Sequence, residues 1–378
     1  MSTDDPRSRA WVEVDAGALR RNLRRVQDAA GRGARVLPMV KADAYGLGAE
    51  GAVRVLEAFD PWGYGVAAVG EGIALRAFGV SRRVLVFSPL APGAYVAAAV
   101  HGLTPCISQV EALDGWGAAV AEAGSGGGAF HVEVDTGMGR AGLAWDRADA
   151  WGAAVADRAR AHGLRWEGVY THFHSADEAG GERSVAEQWR RFLHAVARLP
   201  DGGAGLTLHA ANSAAVFRYP DAAADLVRPG IFLYGGGVGP DLPEPEPVVS
   251  VRARVVLVRE VEAGTTVGYG ATHTAGRAAR WATLAIGYGD GLPRALGNRG
   301  SALLRGRRVP LIGRTSMDLS VVDVTDVPGV EVGDVATLIG RDGDEEVPLA
   351  EVAGLAGTID YEILTGLGSR LPRLWTSE

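Results

Sequence analysis

The sequence predicts an α/β fold: a (β/α)8 TIM-type barrel over residues 10–240, followed by a mostly antiparallel β domain over residues 241–378. Three observations predict it. From residue 36 to about 234, short Val/Leu/Ala-rich runs alternate with longer amphipathic segments, the pattern of repeated βα units. The stretch Gly235 to Pro247 is dominated by glycine and proline and cannot hold a regular helix or ladder. Beyond it the pattern changes to short alternating runs separated by turn residues, as in antiparallel sheets.

The candidate barrel strands are Val36–Val40, Tyr64–Ala68, Val84–Phe87, Leu103–Ile107, Phe130–Val134, Gly168–His172, Leu206–Ala210 and Gly230–Tyr234. About eight parallel strands is the TIM-barrel number. Helical spacing shows between them, in the stripe Val53, Leu56, Phe59 and in the stripe Trp189, Phe192, Leu193, Val196. A doubly wound open sheet is the alternative, but no Gly-x-Gly-x-x-Gly fingerprint follows the first strand. In the second domain the runs Val251–Val258, Ala282–Ile286, Leu319–Val324 and Val335–Ile339 read as strands.

Composition narrows the function. A net charge of −7 and a pI near 5.7 argue against a nucleic-acid partner, which asks for a basic patch or stripe. Cys106 is the only cysteine, so an internal disulfide and a cysteine-ligated zinc site are both dismissed, no metal is expected, and a reducing cytoplasm fits. Met1 to Arg9 is polar and charged, unlike a signal peptide. No apolar stretch reaches the ~18 residues of a membrane span, so no membrane partner is expected.

Lys41 is the only lysine, and the other 37 of the 38 basic residues are arginine. An amine can lose its proton, attack a carbonyl and form a Schiff base, which a guanidinium cannot. Lys41 closes the apolar run Val36 to Val40 and opens the Gly-punctuated stretch Ala42 to Gly48, so it stands where a barrel presents catalytic groups. Three other strand ends carry polar groups. Asp135 to Gly142 delivers Arg140, Thr171 to Asp177 carries His172 and His174, and His209 to Ala215 places Asn212 and Ser213 where a helix begins. Arg228-Pro229-Gly230-Ile231 precedes or enters the eighth strand. Hydroxyls and backbone N–H groups there suit a phosphate. Taken singly, an Asn-Ser pair is more often a plain N-cap, and Arg140 a surface ion-pair partner. An amine, a phosphate cradle and two arginines on one face point to pyridoxal phosphate.

The segment Val40-Lys41-Ala42-Asp43-Ala44-Tyr45-Gly46 resembles the pyridoxal-phosphate attachment motif of bacterial alanine racemases. Later motifs resemble that family in the same order: Asp135 to Gly142, Thr171 to Asp177, Ala211 to Ala215, Arg228 to Gly235, Gly268 to Thr272, Gly287 to Gly291, Gly313 to Asp318 and Thr358 to Glu362. The resemblance runs from Val14 to Pro372. It implies a barrel followed by a β domain, a head-to-tail homodimer, and interconversion of L- and D-alanine, the latter a cell-wall precursor. It further implies Lys41 as cofactor-bearing lysine and one base, with Tyr269 as the second base, reaching the partner subunit's site. A free tyrosine ionises at about pH 10, so such a base needs a positive neighbourhood, a relay that His172 and Arg228 would provide.

By the same resemblance Tyr45, Asn212, Ser213, Gly230, Ile231 and Tyr361 hold the phosphate end, Arg228 faces the pyridine nitrogen, and Arg140 lies near the ring hydroxyl and the substrate. The Met317 backbone meets the substrate carboxylate. Two positions depart from the family pattern. Glu133 stands where many relatives carry a carbamylated lysine, and is expected to pair with Arg140; Ser316 stands where a cysteine is common. His174, Asp177, Arg294, Arg314 and Ile359 match an access-channel set. The alternatives are a broader amino-acid racemase, a decarboxylase on the same fold, which would not need Tyr269, and a non-catalytic pyridoxal-phosphate carrier made of the barrel alone. A nucleotide-binding protein is weakest, since Lys41 is not in a Gly-rich phosphate loop.

Overall fold

The computed structural model describes residues 5–124 and 128–376. Met1 to Asp4, within the polar leader considered above, lie outside the described residues. Eight short strands form the barrel: Arg35–Val36, Gly63–Val66, Arg83–Val86, Thr104–Ile107, Ala129–Asp135, Arg165–Tyr170, Thr207–His209 and Leu226–Val227. Parallel pairing runs from the second of these to the seventh, and the eighth pairs parallel with the first. Bridges Met39–Gly65 and Asn212–Arg228 close the ring. Their side chains alternate inward and outward along each strand; Tyr64, Val84, Phe130, Val132 and Val169 are fully buried, while Trp166 and Leu208 are partly buried.

The eighth strand is a correction. Gly230–Tyr234 is not extended: Ile231–Tyr234 is a 3₁₀ turn, and the strand is Leu226–Val227. Ile231, Phe232, Leu233 and Tyr234 are all buried, and a fully buried apolar run carries no period that separates strand from helix. Pro229 has no N–H to give a ladder, and the Gly230 N–H goes to Ser213 Oγ at 2.8 Å. Arg228 therefore follows the eighth strand and sits at its C-terminal end. A smaller correction concerns the helix Glu182–Val196, which buries Val185, Phe192 and Val196 but leaves Leu193 exposed.

The domain division also shifts at its start. Ala10–Asp15, expected in the barrel, pairs antiparallel with Val249–Val261 and parallel with Arg373–Thr376, inside the nine-stranded sheet of the second domain. Asp15 then caps the helix Ala16–Ala30 by accepting from the Ala18 N–H at 2.9 Å, and the chain enters the barrel. The strand Val249–Val261 organises this sheet, pairing also with Ala279–Leu284 and Val335–Asp342. Strands Ser301–Leu304, Arg307–Ile312 and Ser320–Asp323 complete the antiparallel meander. Val12, Val14, Tyr234, Val251 and Ile363 belong to one continuous apolar core, so barrel and sheet are packed as one body.

One short helix of the second domain reaches back to the barrel mouth. Asp360–Thr365 approaches so closely that a Cβ on Gly46 would lie 2.3 Å from the Leu364 carbonyl oxygen. Arg373 Nε donates to the Gly46 carbonyl at 2.9 Å. No helix among the described residues is long and apolar enough to cross a membrane.

Candidate active site

A cavity of about 400 Å³ opens at the C-terminal ends of the barrel strands. Lys41, Tyr45, Glu133, Arg140, His172, Asn212, Ser213, Arg228, Gly230, Ile231 and Tyr361 all line it. Every barrel residue expected at the site is thus brought together. The backbone presenting Lys41 is unusual. Ala42, Asp43, Ala44 and Tyr45 have φ between 51° and 56°, a left-handed turn of four non-glycine residues. Such a turn costs about 1–2 kcal/mol per residue, so neighbours must hold it. Glu71 does so by accepting from the N–H groups of Ala42 at 2.7 Å, Ala67 at 2.7 Å and Ala68 at 3.1 Å. Asp43 Oδ1 accepts from the Ala49 N–H at 2.7 Å, and Gly46, itself at φ 83°, closes the turn.

Lys41 forms no hydrogen bond or ion pair among the described residues. Burial, then the charge of Arg140, lowers its pKa; Glu71 pulls the other way and Arg228 adds to the lowering. Such an amine sheds its proton more readily than a surface lysine.

Arg228 is the hub of the inner wall. It is buried, and it donates to the carbonyls of Thr171 at 2.9 Å and Ala210 at 3.0 Å, to His209 Nδ1 at 3.0 Å and to His172 Nδ1 at 3.3 Å. No carboxylate pairs with it among the described residues, and burial lowers its pKa to about 10, which still leaves it charged near neutrality. Burial, then Arg228, Arg140 and Lys41, lowers the His172 pKa to about 3, so this imidazole is neutral. A guanidinium only donates, so His172 Nδ1 accepts and its proton sits on Nε2.

The expected pairing of Glu133 with Arg140 is not formed. Glu133 Oε2 instead accepts from Tyr170 Oη at 3.0 Å and Ser108 Oγ at 3.3 Å. Glu133 is a buried residue of the strand Ala129–Asp135 while Arg140 rides on the loop Asp135 to Gly142, whose turn is fixed by Asp135 Oδ1 accepting from the N–H groups of Gly137 and Gly139. Arg140 therefore acts on Glu133 only through space.

At the other end of the cavity Tyr45, Ser213, Gly230 and Ile231 converge. Gly230 is required there, since a Cβ would lie 2.0 Å from Tyr45 Oη. The Tyr45 ring stacks on Tyr234 with centroids 4.9 Å apart and lies 6.0 Å from that of Tyr361. Burial raises the Tyr45 pKa, so its hydroxyl is a neutral donor. Asn212 caps the helix Ser213–Arg218 by accepting from the Ala215 N–H at 3.0 Å, which commits its carbonyl to the plain capping role.

Two expected residues are not brought to this chain's own cavity. Tyr269 is 68% exposed on a turn of the second domain, held outward between Gly268 and Gly270, both at φ 74°. Met317 is 53% exposed, and its carbonyl accepts from the Gly289 N–H at 2.8 Å. The loop beneath them is pinned by Asp290, fully buried, which takes Arg9 through two bonds of 2.6 and 2.7 Å. Of the access-channel set, His174 and Asp177 line a side cavity of about 180 Å³ next to His172 and Tyr361, while Arg294, Arg314 and Ile359 line neither cavity. Sequence reasoning missed Glu71, Tyr170, Phe87 and Ser88. The last two follow or end a parallel strand, and that position was the available signal.

A family profile described as alanine racemase, N-terminal domain, matches residues 14–237, and one described as alanine racemase, C-terminal domain, matches residues 248–375. The alanine racemase of Symbiobacterium thermophilum is 40% identical, covering 97% of each chain. That of Sorangium cellulosum is 38% identical over 96% of this chain and 98% of its own. The solved alanine racemase from Streptomyces coelicolor A3(2) aligns with a TM-score of 0.91 at 34% identity, covering 99% of this chain and 100% of that one. The structure from Bacillus anthracis with bound L-Ala-P aligns at 0.88 and 32% identity, covering 97% and 95%. With both halves matched in order around a pocket built on the only lysine, the chain belongs to the alanine racemase family.

Proposed function

We propose that this chain is a pyridoxal-phosphate-dependent isomerase that interconverts L- and D-alanine as a homodimer, with each site completed by the partner subunit. The observation that carries the reading is Lys41: a desolvated amine with no hydrogen bond or ion pair among the described residues, held at a cavity mouth by a left-handed turn, in a chain of this family. The residues fit the cofactor. Tyr45 Oη, Ser213 Oγ and the N–H groups that open the 3₁₀ turn at Ile231 are donors suited to a phosphate, and Arg228 offers the ring nitrogen a donor. Bound there, pyridoxal phosphate supplies the carbonyl to which amines add and the electron sink that acidifies an amino acid's Cα–H.

The protein's part is to hold protons on two opposite faces. Lys41 Nζ, with its lowered pKa, accepts or returns a proton on one face. The second face needs another base, and Tyr269 of the partner subunit is the side chain assigned to it. The exposure of Tyr269 and Met317 supports this reading, because both side chains stand more than half exposed on the second domain of their own chain. His172, neutral and protonated on Nε2, would donate to a phenolate brought to it, and Arg228, which donates to its Nδ1, would supply the positive field. With Arg228 rather than a carboxylate facing it, the ring nitrogen of a bound cofactor would stay unprotonated, which would restrict charge spreading and disfavour side reactions.

Incubation of the purified protein and cofactor with single L-amino acids, read by chiral chromatography, tests this. D-Alanine is the expected product; its absence sinks the reading, and release of carbon dioxide would favour a decarboxylase. A cytoplasmic setting is part of the proposal and suits the single free, buried cysteine, Cys106.

A further inference from the structure

Beneath the pocket the barrel interior holds a directed chain of buried side chains that the reaction above does not use. Arg228 Nη1 lies 3.0 Å from His209 Nδ1, His209 Nε2 lies 2.8 Å from His131 Nδ1, and His131 Nε2 faces Glu167 Oε2 at 3.8 Å. A guanidinium has donors only, so His209 Nδ1 accepts and neutral His209 carries its proton on Nε2. His131 Nδ1 accepts that proton's hydrogen bond in turn, which leaves the His131 proton on Nε2, against the carboxylate. Both imidazoles are completely buried, and burial first of all keeps them neutral.

Three features mark the chain as built. His131 Nε2 and Glu167 Oε2 are each buried without a hydrogen-bond partner, and they face one another. Glu167 is also the extra residue of a β-bulge: Phe130 pairs with Trp166 and His131 with Gly168, so Glu167 has no residue opposite it. Bulges re-aim side chains, and this one turns Trp166 toward Trp151 on the helical layer and Glu167 toward His131. Gly168 makes the room, since a Cβ there would lie 2.4 Å from His131 Nδ1. The other oxygen of Glu167 is anchored by Arg83 Nε at 3.0 Å and Nη2 at 2.8 Å. His131 first, and then Arg83, hold its pKa down to about 2, so it is an ionised acceptor.

We propose that Glu167, set back about 10 Å along its strand from the pocket-lining Tyr170, is a positioning residue for Arg228, acting through the imidazoles of His131 and His209. An acceptor at one end and a donor at the other dictate the same tautomers. Reversing the chain sets His209 Nδ1–H against Arg228 Nη1–H, donor to donor, and drives the guanidinium off the pocket wall. The assignment concerns the protein's own hydrogen bonds and stands apart from which amino acid is turned over.

Side-chain ¹⁵N–¹H correlation on the full-length, histidine-labelled protein reads the tautomers, with His131→Gln and His209→Gln assigning the signals. Both rings are expected to be protonated on Nε2. In Glu167→Leu, His209 is expected to sample the Nδ1-protonated form and the dissociation constant for pyridoxal phosphate to rise about fivefold, the worth of one net hydrogen bond. Glu167→Gln, whose amide oxygen still accepts, keeps the wild-type values. A wild-type His209 protonated on Nδ1 overturns the proposal, as does a folded Glu167→Leu in which either the tautomers or the dissociation constant stays put. If Glu167→Leu does not fold, the wild-type tautomers and the Glu167→Gln spectrum still decide it.

Discussion

Glu133 takes the hydroxyl of Tyr170 at 3.0 Å and leaves Arg140 without it. Burial raises the Glu133 pKa, and the bonds from Tyr170, the charge of Arg140 and the bond from Ser108 only partly offset that. The folded state therefore binds this proton more tightly than the unfolded chain does. The group's contribution to stability is greatest below the ordinary carboxylate range and declines as pH rises through the raised folded-state pKa. Glu133→Gln keeps an acceptor for Tyr170 and removes that titration. Thermal unfolding followed upward from about pH 4, the ordinary carboxylate range, is expected to show the wild type losing more stability than the variant as pH rises; an equal or steeper loss in the variant refutes the burial argument.

Lys41→Arg separates charge from nucleophilicity. The guanidinium keeps the positive charge but neither adds to a carbonyl nor exchanges protons near neutral pH. Racemisation is expected to fall by about a thousandfold or more. Borohydride reduction of the loaded wild-type protein followed by peptide mass mapping is expected to fix the cofactor on Lys41, and the variant to carry none. Because the wild-type amine is desolvated and, among the described residues, unpaired, Lys41→Ala is expected to leave the melting temperature unchanged or slightly raised.

How much of this was legible in sequence depends on whether a role rides on side-chain chemistry or on backbone shape. Lys41, Arg140, His172 and Arg228 were legible because reactive or charged groups at strand ends are rare enough to stand out. The eighth strand was not, because Ile231 to Tyr234 is buried on all sides and an apolar run without alternation fits strand and 3₁₀ turn alike. Ala10–Asp15 was assigned to the barrel because sequence order favours neighbours, whereas its partners, Val249–Val261 and Arg373–Thr376, lie far along the chain. The left-handed turn after Lys41 was invisible because alanine and tyrosine rarely adopt positive φ and one aspartate alone does not signal four such residues in a row; contacts made by Glu71 and by the helix Asp360–Thr365 impose it.

Glu71 tests that last point. Its carboxylate satisfies three backbone N–H groups, and the Ala42 bond is the one that ties the turn to the rest of the barrel. Glu71→Ala is expected to cost about 2–3 kcal/mol in urea unfolding, since charge-assisted bonds to backbone donors are lost together. Cofactor affinity is expected to fall with it, because the strained turn relaxes and Lys41 moves. A variant as stable as the wild type would show that the turn is held by other means.

The proposed sharing of sites between subunits makes a quantitative prediction. Lys41 lines its own chain's cavity, while Tyr269 stands exposed on the second domain and is not among the residues that line that cavity. If each site pairs Lys41 of one subunit with Tyr269 of the partner subunit, Lys41→Ala and Tyr269→Phe homodimers are both inactive in racemisation. Tyr269→Phe retains one base, so it is expected to exchange the α-proton of one enantiomer with deuterated solvent without inverting it. Dissociating the two variants and reassociating them in equal amounts makes half of the dimers hybrid. In each hybrid one site carries both lesions and the other none. Racemisation is therefore expected to return to about a quarter of the wild-type rate, by the two-fold symmetry of such a dimer. Activity that stays at zero after hybrids have been confirmed by mass would show that Tyr269 acts on its own subunit, and an active Tyr269→Phe homodimer would show that it does not act at all.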